Sequence, residues 1–230
     1  MGIAGVGITY LIKNKGNTTI TTPQILSSFI TTEYKDELKT DTVIKGKFIN
    51  ALSSRLNDTQ IPVNNLYNIY LTTTSTSTTR KILNSNDFIK LAGFKMPDII
   101  KRTILPDFMV GMFSFGENFP FIIFRSSYFE NAYAGMLDWE KDLEKDVQVL
   151  FRLSGYENSG NILSELSAPN TKKFEDLVIV NKNVRLIRNE KGEIILLYAI
   201  IDKETIIITV NERTFKEIVD RLNKEKGLKR

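Results

Sequence analysis

Carboxylates are the side chains in this sequence best placed to do chemistry, and their densest run lies between residues 130 and 146. Glu130, Asp138, Glu140 and Asp142 fall on a stretch with helical periodicity, where Asp138/Asp142 and Glu140/Glu144 are i,i+4 neighbours. Glycosidic hydrolysis needs two carboxylates facing each other across a cleft. Carboxylates four residues apart share one helix face, here beside Lys141 and Lys145, and the spacing reads as a solvated, salt-bridged surface. The chain has no histidine and no cysteine. A Ser-His-Asp triad, an imidazole base, a thiol nucleophile and His- or Cys-ligated metals are therefore excluded. Gly111, Gly116, Gly135, Gly155 and Gly160 form neither a Walker A run nor GxGxxG. Asn57-Asp58 and Asn64-Asn65 lack the alternation of a calcium loop. No catalytic residue, metal ligand or cofactor is expected.

Recognition remains open where catalysis closes. Trp139 is the sole tryptophan. It lies about 200° around the helix from Leu137, which can place it off the apolar stripe, as a surface anchor for a partner. Packing against the polar stretch 152–173 is the alternative. The candidate contact set is Trp139 with Asp138, Glu140 and Asp142. A net charge of +4, clustered only at Lys224, Lys226, Lys229 and Arg230, is no nucleic-acid footprint.

The element that must position these residues is a helix near 127–151. Ser127 with Glu130 makes a capping box, and Phe129, Tyr133, Met136, Leu137, Leu143, Val147 and Leu150 are expected inward. Gly135 costs about 1 kcal/mol there, which implies the close approach of another element. Before it, helical spacing follows Asp41-Thr42 (Ile44, Phe48, Leu52, Leu56) and a strand covers Leu66–Leu71. A threonine-rich hairpin tip spans residues 72–79. Short helices run from Ser85 to Gly93 and from Pro97 through Ile104, the second stopped by Pro106. Strands are expected at Phe108–Phe115, Phe119–Phe124, Leu177–Val180, Val184–Arg188, Glu193–Ile201 and Thr205–Val210. Asn211 caps a last helix with Phe215, Ile218, Val219 and Leu222 inward.

The turns are too short for parallel crossovers, so the class is α+β with antiparallel pairing. Shifting the sequence by 86 positions lays Phe108–Phe115 on Ile194–Ile201, and Phe119–Phe124 on Thr205–Val210. The helices align as well, suggesting two similar ββα units. The expected organisation is an apolar anchor remnant at 1–15, a polar connector at 16–32, unit one at 33–151, a linker loop at 152–173 and unit two at 174–230. Gly2–Ile12 carries no charge and is closed by Lys13 and Lys15, as the exit half of a membrane helix would be. Lys13 and Lys15 alone favour a cytoplasmic body.

The segments Asp107–Gly111, Pro120–Phe124 and Tyr128–Glu140 resemble an uncharacterised family of membrane-anchored envelope proteins of Patescibacteria (candidate phyla radiation). Ile194–Tyr198, Thr205–Thr209 and Phe215–Ile218 resemble its C-terminal block. That resemblance implies a single-pass protein of the cell membrane with an extracytoplasmic body; it carries no activity and no catalytic residue. The expectation is a membrane-tethered, non-enzymatic binding or assembly module of the cell envelope, contacting the membrane through its N-terminus and a protein or envelope component through its body. A carboxylate-based hydrolase of an envelope polymer and a cytosolic scaffold with a packed apolar N-terminus are the alternatives.

Overall fold

β-Branched and aromatic runs alternating at period two build the centre of the molecule. The computed structural model describes residues 28–42, 47–74, 80–153 and 173–228. In chain order the elements are β1 (Tyr34–Lys39), a 3-10 turn (Thr40–Thr42), α1 (Phe48–Asp58), β2 (Asn65–Thr74), β3 (Arg80–Ile82), α2 (Ser85–Ala92) and α3 (Asp98–Lys101). Then come β4 (Ile104–Phe115), β5 (Glu117–Ser126), α4 (Phe129–Phe151), β6 (Glu175–Ile179), β7 (Lys182–Arg188), β8 (Ile194–Ile201), β9 (Thr205–Thr209) and α5 (Glu212–Leu228). The apolar run Gly2–Ile12, most of the connector 16–32, the hairpin tip at 75–79 and nearly all of the linker 152–173 lie outside the described residues.

The fold is α+β, with one nine-stranded, mostly antiparallel sheet ordered β1-β2-β4-β5-β9-β8-β7-β6, and β3 beside β2. β1 is the exception, running parallel to β2. Strand alternation gives the sheet two apolar faces. Tyr67, Ile69, Val110, Met112, Ile122, Phe124, Ile206 and Ile208 share one core with α1 through α4. Leu66, Phe113, Phe121, Ile123, Leu197, Ala199 and Ile207 share the other with Ile30 and α5.

The hairpins β4–β5 and β8–β9 meet edge to edge through β5 and β9, with Ile122 opposite Ile208, its own counterpart at offset 86. The strands thus obey a local two-fold perpendicular to the sheet. Such an axis would keep both helices on one face, yet α4 and α5 cover opposite faces. The repeat of complete ββα units is therefore not confirmed.

Local signals explain most boundaries. Asn84 accepts the Asp87 N–H at the start of α2, and Gly93 ends it in the left-handed region at φ 73. Asn211 accepts from the N–H groups of Arg213 and Thr214 at the start of α5. Other boundaries differ from expectation. The helix from Pro97 stops at Lys101, and Pro106 sits inside β4, where the register with β5 shifts between Ile104 and Phe108. Ser127 makes no capping box: its hydroxyl donates to the Thr103 carbonyl, and α4 starts one residue later without a side-chain cap.

The inward stripe of α4 is Ala132, Gly135, Met136, Trp139, Leu143, Val147 and Leu150. Tyr133 and Leu137, expected in the core, are 48% and 37% exposed. The pattern is rotated because Gly135 rather than a bulky residue faces inward. An ideal Cβ there would lie 2.5 Å from Ile100 Cβ, so α3 rests directly on the α4 backbone.

Candidate functional site

The four residues singled out on α4 do not form one surface. Trp139 is fully buried, a correction to its expected outer position: its ring lies 5.9 Å from that of Phe94, and its Nε1 donates to Asp146 Oδ2 at 2.7 Å. The same oxygen accepts the Lys95 N–H at 2.6 Å, tying the loop before α3 to α4. Burial outweighs these two hydrogen bonds and raises the Asp146 carboxyl above the usual range. Asp138 is exposed and paired with Lys141. Asp142 lies 3.9 Å from Lys95 Nζ. Glu140 alone turns toward the sheet.

Glu140 sits beside a groove between α4 and the strands β6, β7 and β8. Phe129 and Tyr133, one turn apart with stacked rings 5.9 Å apart, form the helical wall. The floor is Asp176 and Val178 of β6, Asn183 and Arg185 of β7, and Tyr198 and Ile200 of β8. The cavity measures about 510 Å³. Strand alternation places these floor residues together: Val184 and Leu186 point to the opposite core, so Asn183 and Arg185 point into the groove.

A polar knot closes its inner end. Arg185 Nη2 donates to Glu140 Oε2 at 2.9 Å, its Nε donates to Oε1, and its Nη1 donates to Asp176 Oδ1 at 3.0 Å. Tyr198 donates its hydroxyl proton to Glu140 Oε1 at 2.6 Å. Burial, then the bond to Glu140, pushes the Tyr198 phenol far above its ordinary value. The bonds to Glu140 likewise hold the Arg185 guanidinium charged. Glu140 and Asp176 both flank the groove, but the guanidinium between them occupies the space that a glycosidic bond would need. The knot holds neither a free nucleophile nor an unengaged base, and it sets a hydrogen-bonded polar end, two carboxylates on one guanidinium, beside the apolar wall of the groove.

A second cavity, about 330 Å³, opens where β2 parts from β4, lined by Asn68, Lys81, Asp107 and Met109 among others. Asn68 Oδ1 is buried there without a hydrogen-bond partner among the described residues. Among the described residues no cluster of three or more His, Cys, Asp or Glu side chains could hold a metal ion, and no helix is long and apolar enough to cross a membrane.

The sequence pointed to Glu140 but not to its partners. Arg185 was legible as the residue out of step between Val184 and Leu186. Tyr198 had no signal within the apolar run Ile194–Ile201. Comparison with known proteins finds no matching family model, no matching curated protein and no matching solved structure.

Proposed function

We propose that this chain is a membrane-tethered, non-enzymatic binding module of the cell envelope, and that its binding surface is the groove between α4 and β6–β8. The observation that carries the reading is the groove's make-up. Phe129, Tyr133 and Val178 leave apolar surface in reach of solvent, while Arg185 and Glu140 satisfy each other beside it. A concave apolar site with a few convergent polar groups is the usual form of a recognition pocket. It suits an apolar segment of a protein or another envelope component, with the exposed Asn183 available to fix orientation. The tether rests on the uncharged run before Lys13 and on the envelope-family resemblance.

A photo-crosslinking side chain at Tyr133, with another at the exposed Leu91 on α2 as control, tests the groove in native envelopes. A discrete adduct from position 133 alone is the expected result. Equal labelling from both positions, or none, refutes the groove. Release of the full chain by carbonate washing of membranes refutes the tether. The hydrolase alternative predicts turnover of an envelope polymer that is lost in Glu140→Gln and Asp176→Asn.

A further inference from the structure

The two ends of the sheet differ in how they meet water. At one end β1 carries Lys35, Asp36, Glu37 and Lys39 along Tyr34–Lys39, the charged pattern that keeps an edge from pairing. At the other end β6 pairs with β7 alone among the described residues. Its second half is apolar and partly open to solvent: Leu177 is 37% exposed and Val178 64%. Val180, 47% exposed, then takes a turn position at φ 45, where Asn, Asp or Gly would cost less. More than a third of each of these three side chains is left in water.

The hairpin geometry fixes which main-chain groups of β6 are unpaired. Ile179 and Lys182 flank the two-residue turn Val180–Asn181. Such a flanking pair exchanges both of its hydrogen bonds. Main-chain groups of Ile179, Leu177 and Glu175 therefore face β7, and those of Asp176 and Val178 face outward.

We propose that β6 pairs antiparallel with β6 of a second copy of this chain, about a two-fold axis through Leu177, joining the two sheets into one. An axis perpendicular to the sheet keeps each face on its own side. With Leu177 at the centre, Asp176 lies opposite the partner's Val178, and both present outward main-chain groups. Each such pair exchanges two hydrogen bonds. Leu177 meets the partner's Leu177, and Glu175 lies opposite the partner's Ile179, so no like charges face each other. Centring on Asp176 would oppose two carboxylates, and centring on Val178 would run the pairing into the turn. The register closes on itself over all five residues of the strand, as an isologous interface requires. Both grooves would open on the same face, one on each side of the axis. Pairing does not depend on the binding role of the groove.

Sedimentation of the full chain is the first test: a dimer is expected for wild type and a monomer for Val178→Pro and Val178→Lys. Proline removes the outward N–H but no bond to β7. The chain has no cysteine, so Leu177→Cys supplies one thiol per copy. In the central, non-hydrogen-bonded pair the two Cα atoms lie about 4.5 Å apart, within disulfide reach. Oxidation should link Leu177→Cys into a covalent dimer far faster than Val63→Cys, a control at a 59% exposed position. A monomeric wild type at high micromolar concentration overturns the proposal. So does a dimer that survives both Val178 substitutions. If the Val178 variants melt early, the Leu177→Cys cross-linking rate decides alone. A monomeric wild type whose position-133 labelling is intact refutes pairing and leaves the groove standing.

Discussion

Gly135→Ala sets two effects of opposite sign against each other. In a helix interior alanine is favoured over glycine by about 1 kcal/mol. If α4 responded only to propensity, the substitution would stabilise the protein. The added methyl, however, would start 2.5 Å from Ile100 Cβ and 3.0 Å from both Ile100 Cγ2 and the Ile100 backbone nitrogen. Ordinary carbon contacts begin near 3.5 Å, so α3 and α4 must part by roughly 1 Å. Ile100 is fully buried and α3 is a single turn held by that contact, so parting them loosens a packed seam. Overpacking of this kind costs about 1–3 kcal/mol. After the propensity gain of about 1 kcal/mol, the net expectation is a loss of up to about 2 kcal/mol. Denaturant melts would show a lower midpoint at unchanged slope. The control is Ala134→Gly, at the exposed neighbouring position, which should lose about 1 kcal/mol through propensity alone. A Gly135→Ala midpoint at or above wild type refutes the α3–α4 contact as drawn.

Three further outcomes are expected. Removing one member of the half-buried Glu140–Arg185 pair by Arg185→Ala should cost about 2 kcal/mol, less than a fully buried pair because water still reaches it; a chemical melt within error of wild type would show the knot to be incidental. Met136→Ala should cost about 2–5 kcal/mol and Phe129→Ala distinctly less, since Met136 is fully buried and Phe129 lines an open groove; equal losses in parallel melts would restore the rotated register. Asp146 has a folded pKa raised above its unfolded value, chiefly by burial, so its charged form opposes folding. Its contribution is most favourable below the unfolded pKa of 3.8 and declines as pH rises through the folded value. Stability curves should therefore show Asp146→Asn gaining on wild type as pH climbs from acid toward neutral, and a gap that narrows instead would reverse the sign.

The sequence made the strongly patterned half of this architecture readable. β4, β5, β8, β9 and the inward face of α5 follow from alternation and from turn or capping residues that act locally. β1 was hidden because Tyr34–Lys39 has one buried hydrophobic residue, Leu38, among charges, and its partner in parallel pairing lies beyond a whole helix. The expected stripe of α4 is rotated from the observed one, because bulky Phe129, Tyr133 and Leu137 outweigh Ala132 and Gly135 in any count of hydrophobicity. Close contact with α3 selected the small residues instead. The groove escaped for a related reason. It joins α4 to strands that begin more than a linker later, and only tertiary packing brings Arg185 and Tyr198 to Glu140.

The pairing of β5 with β9 sets an order of events on the ribosome. β4 and β5 leave the exit tunnel early, and their hairpin can close at once. The far edge of β5, with Phe121, Ile122 and Ile123, has no partner until Thr205–Thr209 emerges. About 80 residues must be made in between, which takes roughly 4–16 s at ordinary translation rates. Through that interval the nascent chain presents an apolar strand edge of the kind that recruits another nascent chain. Truncation before residue 205 should therefore yield aggregates rather than a smaller folded protein.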